Sequence, residues 1–484
     1  MRFSHAEYVV NNRHQMSRRD KFCQKIIEWG IIGILVFSPL PAASVYGWSV
    51  LVIQLVVVVM LGAYFLMEEK PQNNVFLSRS LKAPRYLFWG FFAFLFLQVV
   101  PLPKFLVKFF SPKTFSFYQN FSPDFSSTHF LSLSVVPTQT LKQGFEILTY
   151  VLLGFLILRT VTRRHQIMQI FSVIVAMGIF EAFYGFFELY SSNPHILFYK
   201  KTHFLDCVTG TFVNRNHLSG YLEMVIPLAV GLVIARIDFF EWSGLRLRDK
   251  LVRISERGLA WNGLISLGIV GMALAIVFSK SRSGIFILVL SFILLSGLAG
   301  LYYQRGEQER KGIKTFLKVV FFGIVLFSLY IGIGATLERF SLDKILQEQR
   351  PLVWGNTIEM IGDFPVFGSG LGTFASVYPA YEESGEFVRW THAHNDYLEY
   401  TAELGIAGMI LLLGGILYLL VKTFRIWKER RHPLVKGLAI GGIVALLGIM
   451  IHSITDFNLH IPANMVLFTV ILSLTMVTAF YRSK

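Results

Sequence analysis

Along the chain, runs of about twenty mainly apolar residues alternate with short polar and basic connections, and a run of that length is what a helix needs to cross a bilayer. The pattern predicts spans at 26–43, 48–67, 86–103, 143–158, 167–189, 217–235, 259–278, 284–303, 315–334, 404–421, 436–453 and 463–480. The expected fold is therefore all-α: a polytopic membrane protein of about twelve transmembrane helices. Two connections are long, one from Lys104 to Thr140 and a larger one from Ala335 to Glu403 between the ninth and tenth spans. A long connection in a compact protein is often functional, and the second is rich in acidic residues, glycines, tryptophans and tyrosines.

Composition agrees with a bilayer as solvent, since 54% of the 484 residues are hydrophobic and 15% charged. The formal charge of +15 changes the picture only in topology. Nucleic-acid binding would need the basic residues clustered on an exposed surface, whereas here they sit between apolar spans. Most of the 45 Lys and Arg fall on one side of the span map, which puts both termini in the cytoplasm. The densest inner groups are Arg246, Arg248, Lys250, Arg253 and Arg257, and then Lys422, Arg425, Lys428, Arg430 and Arg431. Arg18, Arg19, Lys21 and Lys25 precede the first apolar run, and Pro41-Ala42-Ala43-Ser44 superficially resembles a cleavage site; a second span follows at once, so the first is expected to stay uncleaved. Cys23 and Cys207 are far apart and form neither a disulfide framework nor a CxxC site. No internal repeat is evident, which weighs against an inverted-repeat transporter.

The strongest chemical feature is the run from Trp390 through His392, His394, Asn395, Asp396 and Glu399 to Glu403 and Gly405 at the edge of the tenth span. On a helix starting near His394, residues 394, 397, 398 and 401 share a face, and a neutral imidazole pointing from it suits proton abstraction from a sugar hydroxyl. Two other accounts stand beside this one. His394, Asn395 and Asp396 can simply cap the helix, or His392, His394 and Asp396 can hold a metal, although no distant fourth ligand is visible. Arg215 and Arg282 lie at span ends on the side where positive charge is scarce, and guanidinium groups there suit a phosphate partner, acids of the outer loop or the interface itself. Arg350 is a third candidate, with a surface ion pair as its alternative. The Gly368-Ser369-Gly370-Leu371-Gly372 string has neither a Walker lysine nor a β/α context, so close backbone packing explains it better than a nucleotide loop. Asp456 and His460, in the last outer loop, are expected to be structural, and Glu181, Glu188 and Glu223 are the few acids inside spans.

Four segments in order carry a resemblance: Gly210-Thr211-Phe212-x-Asn214-x-Asn216; Ser281-Arg282-Ser283-Gly284; Arg350-x3-Trp354 through Asp363-x-Pro365-x2-Gly368-x-Gly370; and His394-Asn395 followed by Gly405. Together, over Gly210 to Leu413, they resemble the O-antigen ligase and polymerase superfamily of bacterial envelope glycosyltransferases. The resemblance implies an inverting transfer, without metal or cofactor, of a glycan from undecaprenyl pyrophosphate to an acceptor at the periplasmic face of the bacterial inner membrane. His394 would be the general base, and Arg215 and Arg282 would hold the pyrophosphate; Arg350, Asn395 and His392 are further candidate substrate contacts. The implied partners are the lipid-linked donor, a glycan or lipid A-core acceptor, and membrane lipids, with no nucleic acid. Residues 1–205 would be an N-terminal transmembrane scaffold, 206–425 the catalytic core with periplasmic loop 335–403, and 426–484 the C-terminal transmembrane helices. A repeat-unit polymerase of the same superfamily and, from another class, a polysaccharide or lipid-carrier transporter are the alternatives to a surface-polysaccharide ligase.

Overall fold

The computed structural model describes residues 16–71, 82–236, 257–302, 307–341, 343, 348–382 and 389–481. Arg246, Arg248, Lys250 and Arg253 of the inner basic loop lie outside the described residues. The described residues are mainly helical, with only two two-residue antiparallel pairs among them, Leu102–Pro103 with Phe130–Leu131 and His195–Ile196 with Tyr199–Lys200.

The principal helices are α1 (Arg18–Phe37), α2 (Gly47–Leu66), α3 (Lys82–Val99), α4 (Lys104–Phe110), α5 (Pro112–Phe121), α6 (Pro137–Thr160), α7 (Arg164–Leu189), α8 (Arg215–Arg236), α9 (Arg257–Phe278), α10 (Arg282–Tyr302), α11 (Glu307–Ile331), α12 (Arg350–Asp363), α13 (Asp396–Glu429), α14 (Pro433–His452) and α15 (Pro462–Phe480). Each expected span falls on one of them. Ten of the described helices are long and apolar enough on their own to cross a membrane. Of the expected twelve, α1 falls short because its first turns carry Arg18, Arg19, Asp20, Lys21, Lys25 and Glu28, and α3 because its apolar part is shorter.

Among the boundaries that differ from the sequence expectation, three have a visible local cause. The first helix begins at Arg18, well before 26, because Ser17 caps it by accepting the N–H of Asp20 at 3.0 Å. It stops at Phe37, ahead of Pro39 and Pro41 and a left-handed stretch at Ala42, Ala43 and Ser44. The tenth span begins at Asp396, eight residues early, and is broken at Gly405, whose φ of 63° is left-handed. The long connection of 335–403 is correspondingly not a plain loop. It holds α12, short turns at Gly334–Leu337 and Phe374–Val377, and the first residues of α13.

The centre of the bundle is α8, flanked by α14 and α15, all three nearly wholly buried. A helix surrounded by helices has no lipid to face, and backbones must come close. A Cβ at Gly437 would lie 2.7 Å from both the Ala235 amide nitrogen and the Gly231 carbonyl oxygen, and one at Gly441 would meet the Pro227 carbonyl, so small residues set the α8–α14 separation. By contrast α2, α11 and the later part of α13 present large apolar side chains outward, among them Leu55, Val58, Phe322, Leu326 and Ile410.

The glycine string packs under the broken start of α13. Gly368, Gly370 and Gly372 all have positive φ, and a Cβ at Gly405 would run into the Val366 carbonyl. Gln98 at the end of α3 is fully buried and donates to the carbonyls of Phe367 (2.6 Å) and Glu403 (3.0 Å). Ser369 and Gly370 donate to the carbonyls of Ala402 and Glu403, both at 2.9 Å. The string is thus a backbone cross-brace that fixes the first two turns of α13, as close packing predicts.

Candidate functional site

The site lies at the end of the bundle where α8, α10, α12 and α13 begin and α14 ends. Asp396 N–H donates to the carbonyls of Ser453 (2.9 Å) and Asp456 (3.2 Å), which holds the segment after α14 against the start of α13. Ser283 Oγ and Thr455 Oγ1, 2.8 Å apart, join the start of α10 to the same segment, and Ser219 with Ser279, also at 2.8 Å, joins α8 to the end of α9.

His394 precedes α13 and does not lie on it. Its φ of 52° is left-handed, so the shared helical face with 397, 398 and 401 expected from the sequence is not formed. The helix starts one step later because Asn395 is its N-cap, the side-chain carbonyl accepting the Leu398 N–H at 3.1 Å. Two bonds pin the preceding peptide: Ala393 N–H donates to Glu399 Oε2 at 2.8 Å, and Trp354 Nε1 donates to the Ala393 carbonyl at 3.0 Å. The imidazole then stands edge-on to Phe457 and Trp390 and remains partly exposed.

His394 Nδ1 lies 3.2 Å from Asp456 Oδ1. Asp456 is fully buried and heavily engaged: Asn216 Nδ2 donates to Oδ2 at 2.7 Å, Arg350 Nη2 lies 3.4 Å from the same oxygen, and the Phe457 N–H donates to Oδ1 at 2.9 Å. Burial raises the cost of its charge, but the His394 hydrogen bond, Arg350 and His217 outweigh it and hold the carboxyl well below the usual carboxylate range. A permanent carboxylate on Nδ1 selects the tautomer with its proton there and leaves Nε2 as the free base, for which no partner exists among the described residues. Asp456, expected to be structural, contacts the candidate imidazole directly, through a fold that brings together residues 62 apart.

Arg215, Arg282 and Arg350 are each the first residue of a helix, α8, α10 and α12. A helix start concentrates unpaired N–H groups and the positive end of the backbone dipole, so the guanidinium charges add to a field already favourable to anions. Arg350 donates to the Thr455 carbonyl besides facing Asp456, and it lies 3.3 Å from Glu348. Glu348 also pairs with Arg282. A continuous run of contacts therefore links His394 to Asp456, Arg350, Glu348 and Arg282. Arg215 stands at its edge, with its guanidinium 5.1 Å from the Phe204 ring and its neighbour Asn216 on Asp456. Arg339, in the turn Glu338–Phe340, belongs to the same group. Burial and the charges of Arg215, Arg282 and Arg350 lower its basicity, against the opposing pull of Glu348.

The remaining candidates are occupied differently. His392 stacks on Phe457 at 4.0 Å and places Nδ1 2.7 Å from Glu399 Oε1. Asp396 faces His460, 2.6 Å from its Nδ1. His392, His394 and Asp396 thus each engage a different partner, and among the described residues no group of three or more His, Cys, Asp or Glu has the arrangement to hold a metal. His460 also lies 3.3 Å from Glu399 and stacks on Tyr400; burial alone would depress it, but Glu399 and Asp396 push it up to about 9. The acids noted within spans are partnered too: Glu181 with Thr211, Glu188 with Lys201 at 2.6 Å, and Glu223 with His452 at 2.9 Å.

Sequence reasoning did not single out Asp456, Glu348 or Arg339 as partners of the candidate groups, and it had Asn216 only as part of a motif. One signal was present. The span map puts the loop carrying Asp456 on the same face as His394, and an acid there is the natural counter-ion of an outer histidine.

Residues 267–413 match the family model described as O-Antigen ligase. The matched stretch runs from within α9 into α13 and contains Arg282, Arg339, Glu348, Arg350, His392 and His394, whereas Arg215 and Asp456 lie outside it. No curated protein matches the chain. The resemblance seen in the sequence is borne out over this segment. It supports an O-antigen ligase or polymerase type of function, carried by a multi-pass helical membrane protein.

Proposed function

We propose that the protein transfers a glycan from undecaprenyl pyrophosphate to an acceptor hydroxyl at the periplasmic face of the bacterial inner membrane, as a surface-polysaccharide ligase with both termini in the cytoplasm. The observation that carries this reading is the unbroken run of contacts from the His394–Asp456 pair to Arg282, which puts a candidate base and a candidate phosphate-binding group in one site.

In this mechanism the acceptor hydroxyl approaches His394 Nε2, while the donor's diphosphate lies among the guanidinium groups of Arg215 and Arg282. The acceptor oxygen attacks the anomeric carbon, the carbon–oxygen bond to the diphosphate breaks, and the anomeric centre inverts. The hydroxyl proton passes to Nε2, and Asp456 stabilises the imidazolium that results. Negative charge grows on the departing diphosphate, and arginines already in place stabilise it without reorganising. The base contributes roughly 10²- to 10⁴-fold. A lipid carrier explains why the site lies at a membrane edge, and the activated pyrophosphate linkage removes any need for a nucleotide. Arg350 supports Asp456, while Asn395 and His392 shape the turn that presents His394.

The test is transfer in membranes supplied with an undecaprenyl-pyrophosphate-linked glycan and candidate acceptors, comparing wild type with His394→Ala and Arg282→Ala. Loss of transfer in both variants, at equal amounts of folded protein, is expected. The acceptor modified separates a ligase from a repeat-unit polymerase. Equal activity of all three proteins would reject the assigned roles, and transport of the lipid-linked glycan without transfer would favour the transporter alternative.

A further inference from the structure

The guanidinium groups of Arg215, Arg282 and Arg350 each act on that of Arg339, and the carboxylate of Glu348 bridges two of them. Glu348 uses its two oxygens separately: Oε2 pairs with Arg282 Nη2, and Oε1 lies 3.3 Å from Arg350 Nε. A carboxylate spread across two arginines in this way occupies the position that two oxygens of a phosphate group would take. It also undersupplies the site. Among the described residues the four guanidinium groups face Glu348 and, at Arg350, Asp456, which Asn216 and His394 already engage, and Arg339 Nε is buried with no hydrogen-bond partner among them. A diphosphate brings more charge and more acceptor oxygens than a carboxylate and would satisfy groups that Glu348 leaves unmet.

Resting on the reading of Arg282 as a diphosphate ligand, we propose that Glu348 is an internal stand-in for the donor's diphosphate, which displaces it from between Arg282 and Arg350 and recruits Arg339 as a further phosphate ligand. The stand-in has two consequences. Before the donor arrives it limits the repulsion among the arginines, which at this burial is costly. After transfer it competes with the diphosphate product for the same guanidinium groups and so speeds release. Glu348 and its partners are each only about a fifth to a third exposed, so the exchange takes place in a partly desolvated setting where charge pairing is stronger than at an open surface.

The experiment is titration of the purified full-length protein in lipid nanodiscs with inorganic pyrophosphate, comparing wild type, Glu348→Gln, Glu348→Ala, Arg339→Gln and Arg282→Gln. Removing a competitor held by two partly exposed ion pairs is expected to tighten pyrophosphate binding about three- to tenfold in both Glu348 variants. Arg339→Gln and Arg282→Gln are expected to weaken it by at least as much. If either folded Glu348 variant binds pyrophosphate no better than wild type, or more weakly, the carboxylate organises the arginines instead, and the stand-in is rejected. Arg339→Gln binding like wild type removes Arg339 from the site. If Arg282→Gln also binds like wild type, it is the diphosphate reading itself that fails, so the two failures are distinguishable.

Discussion

Two histidine–carboxylate clusters meet at the start of α13, and they are built to opposite ends. In one, His394 touches a single carboxylate through Nδ1, keeps Nε2 unpartnered among the described residues and is partly exposed. In the other, His460 is buried, with Asp396 on Nδ1, Glu399 facing Nε2 and Tyr400 stacked on the ring. In the proposed mechanism the same residue types serve a proton acceptor in the first, and in the structure they form an internal ion cluster in the second. What separates them is a ring nitrogen left free toward solvent; charge proximity alone does not make a catalytic histidine.

The sharpest way to break this contrast is to remove Asp456's charge. Asp456→Asn is expected to lower turnover about a hundredfold, as misorientation of a base does, while adding little to the loss caused by His394→Ala because the two act as a unit. Single-turnover transfer by the two single variants and the double variant measures this, and fully multiplicative losses would show that Asp456 acts independently of His394.

For the second cluster, His460→Gln is expected to cost about 3–5 kcal/mol of stability, because it leaves Asp396 and Glu399 as buried charges without their cation. Activity per folded molecule should stay within a few-fold of wild type. Thermal unfolding in nanodiscs reads the first effect, and transfer normalised to folded protein reads the second. A His460 variant that is fully stable but inactive would reverse the two assignments.

The clusters also differ in their expected response to pH. His460 is raised from an ordinary value of 6.5 to about 9, so the folded state binds its proton more tightly than the unfolded state does. Its contribution is fully present below about pH 6.5 and is lost as pH rises through about 9. The unfolding temperature should fall across that window, and the fall should vanish in His460→Gln. Asp456, held below its ordinary value, contributes in the opposite sense: its stabilisation is present above pH 3.8 and fades only in stronger acid.

The smallest effect concerns the turn that serves both clusters. Trp354→Phe removes the indole bond to the Ala393 carbonyl and should cost about 1 kcal/mol, with a modest loss of transfer as His394 gains freedom. An unchanged rate and unfolding temperature would mean that Glu399 alone holds this peptide.

Much of this protein was legible in its sequence because a bilayer imposes one-dimensional rules. A helix must be long and apolar, and each expected span is a helix. Arginines at span ends and a histidine at a helix entrance stood out for the same reason, since charge at a membrane edge is costly unless it has a use. Boundaries were less legible. Ser17 and Asn395 extend helices into polar sequence through single capping bonds, and Gly405 breaks one inside an apolar run through contact with Val366, which no local pattern announces.

By itself, then, the sequence determined the all-helical membrane fold, the placement of His394 and the arginines together at one end of the spans, and the family resemblance of the segment that holds most of them. The tertiary structure alone decided which groups meet: Asp456 against His394, Glu348 between Arg282 and Arg350, Arg339 beside them, and His460 sealed between Asp396 and Glu399. Span patterns depend on transfer between water and lipid, which each stretch of chain undergoes independently. Pairing depends on how helices distant in sequence pack, and here that rests on backbone contacts such as those of α8 with α14, where glycines set the spacing.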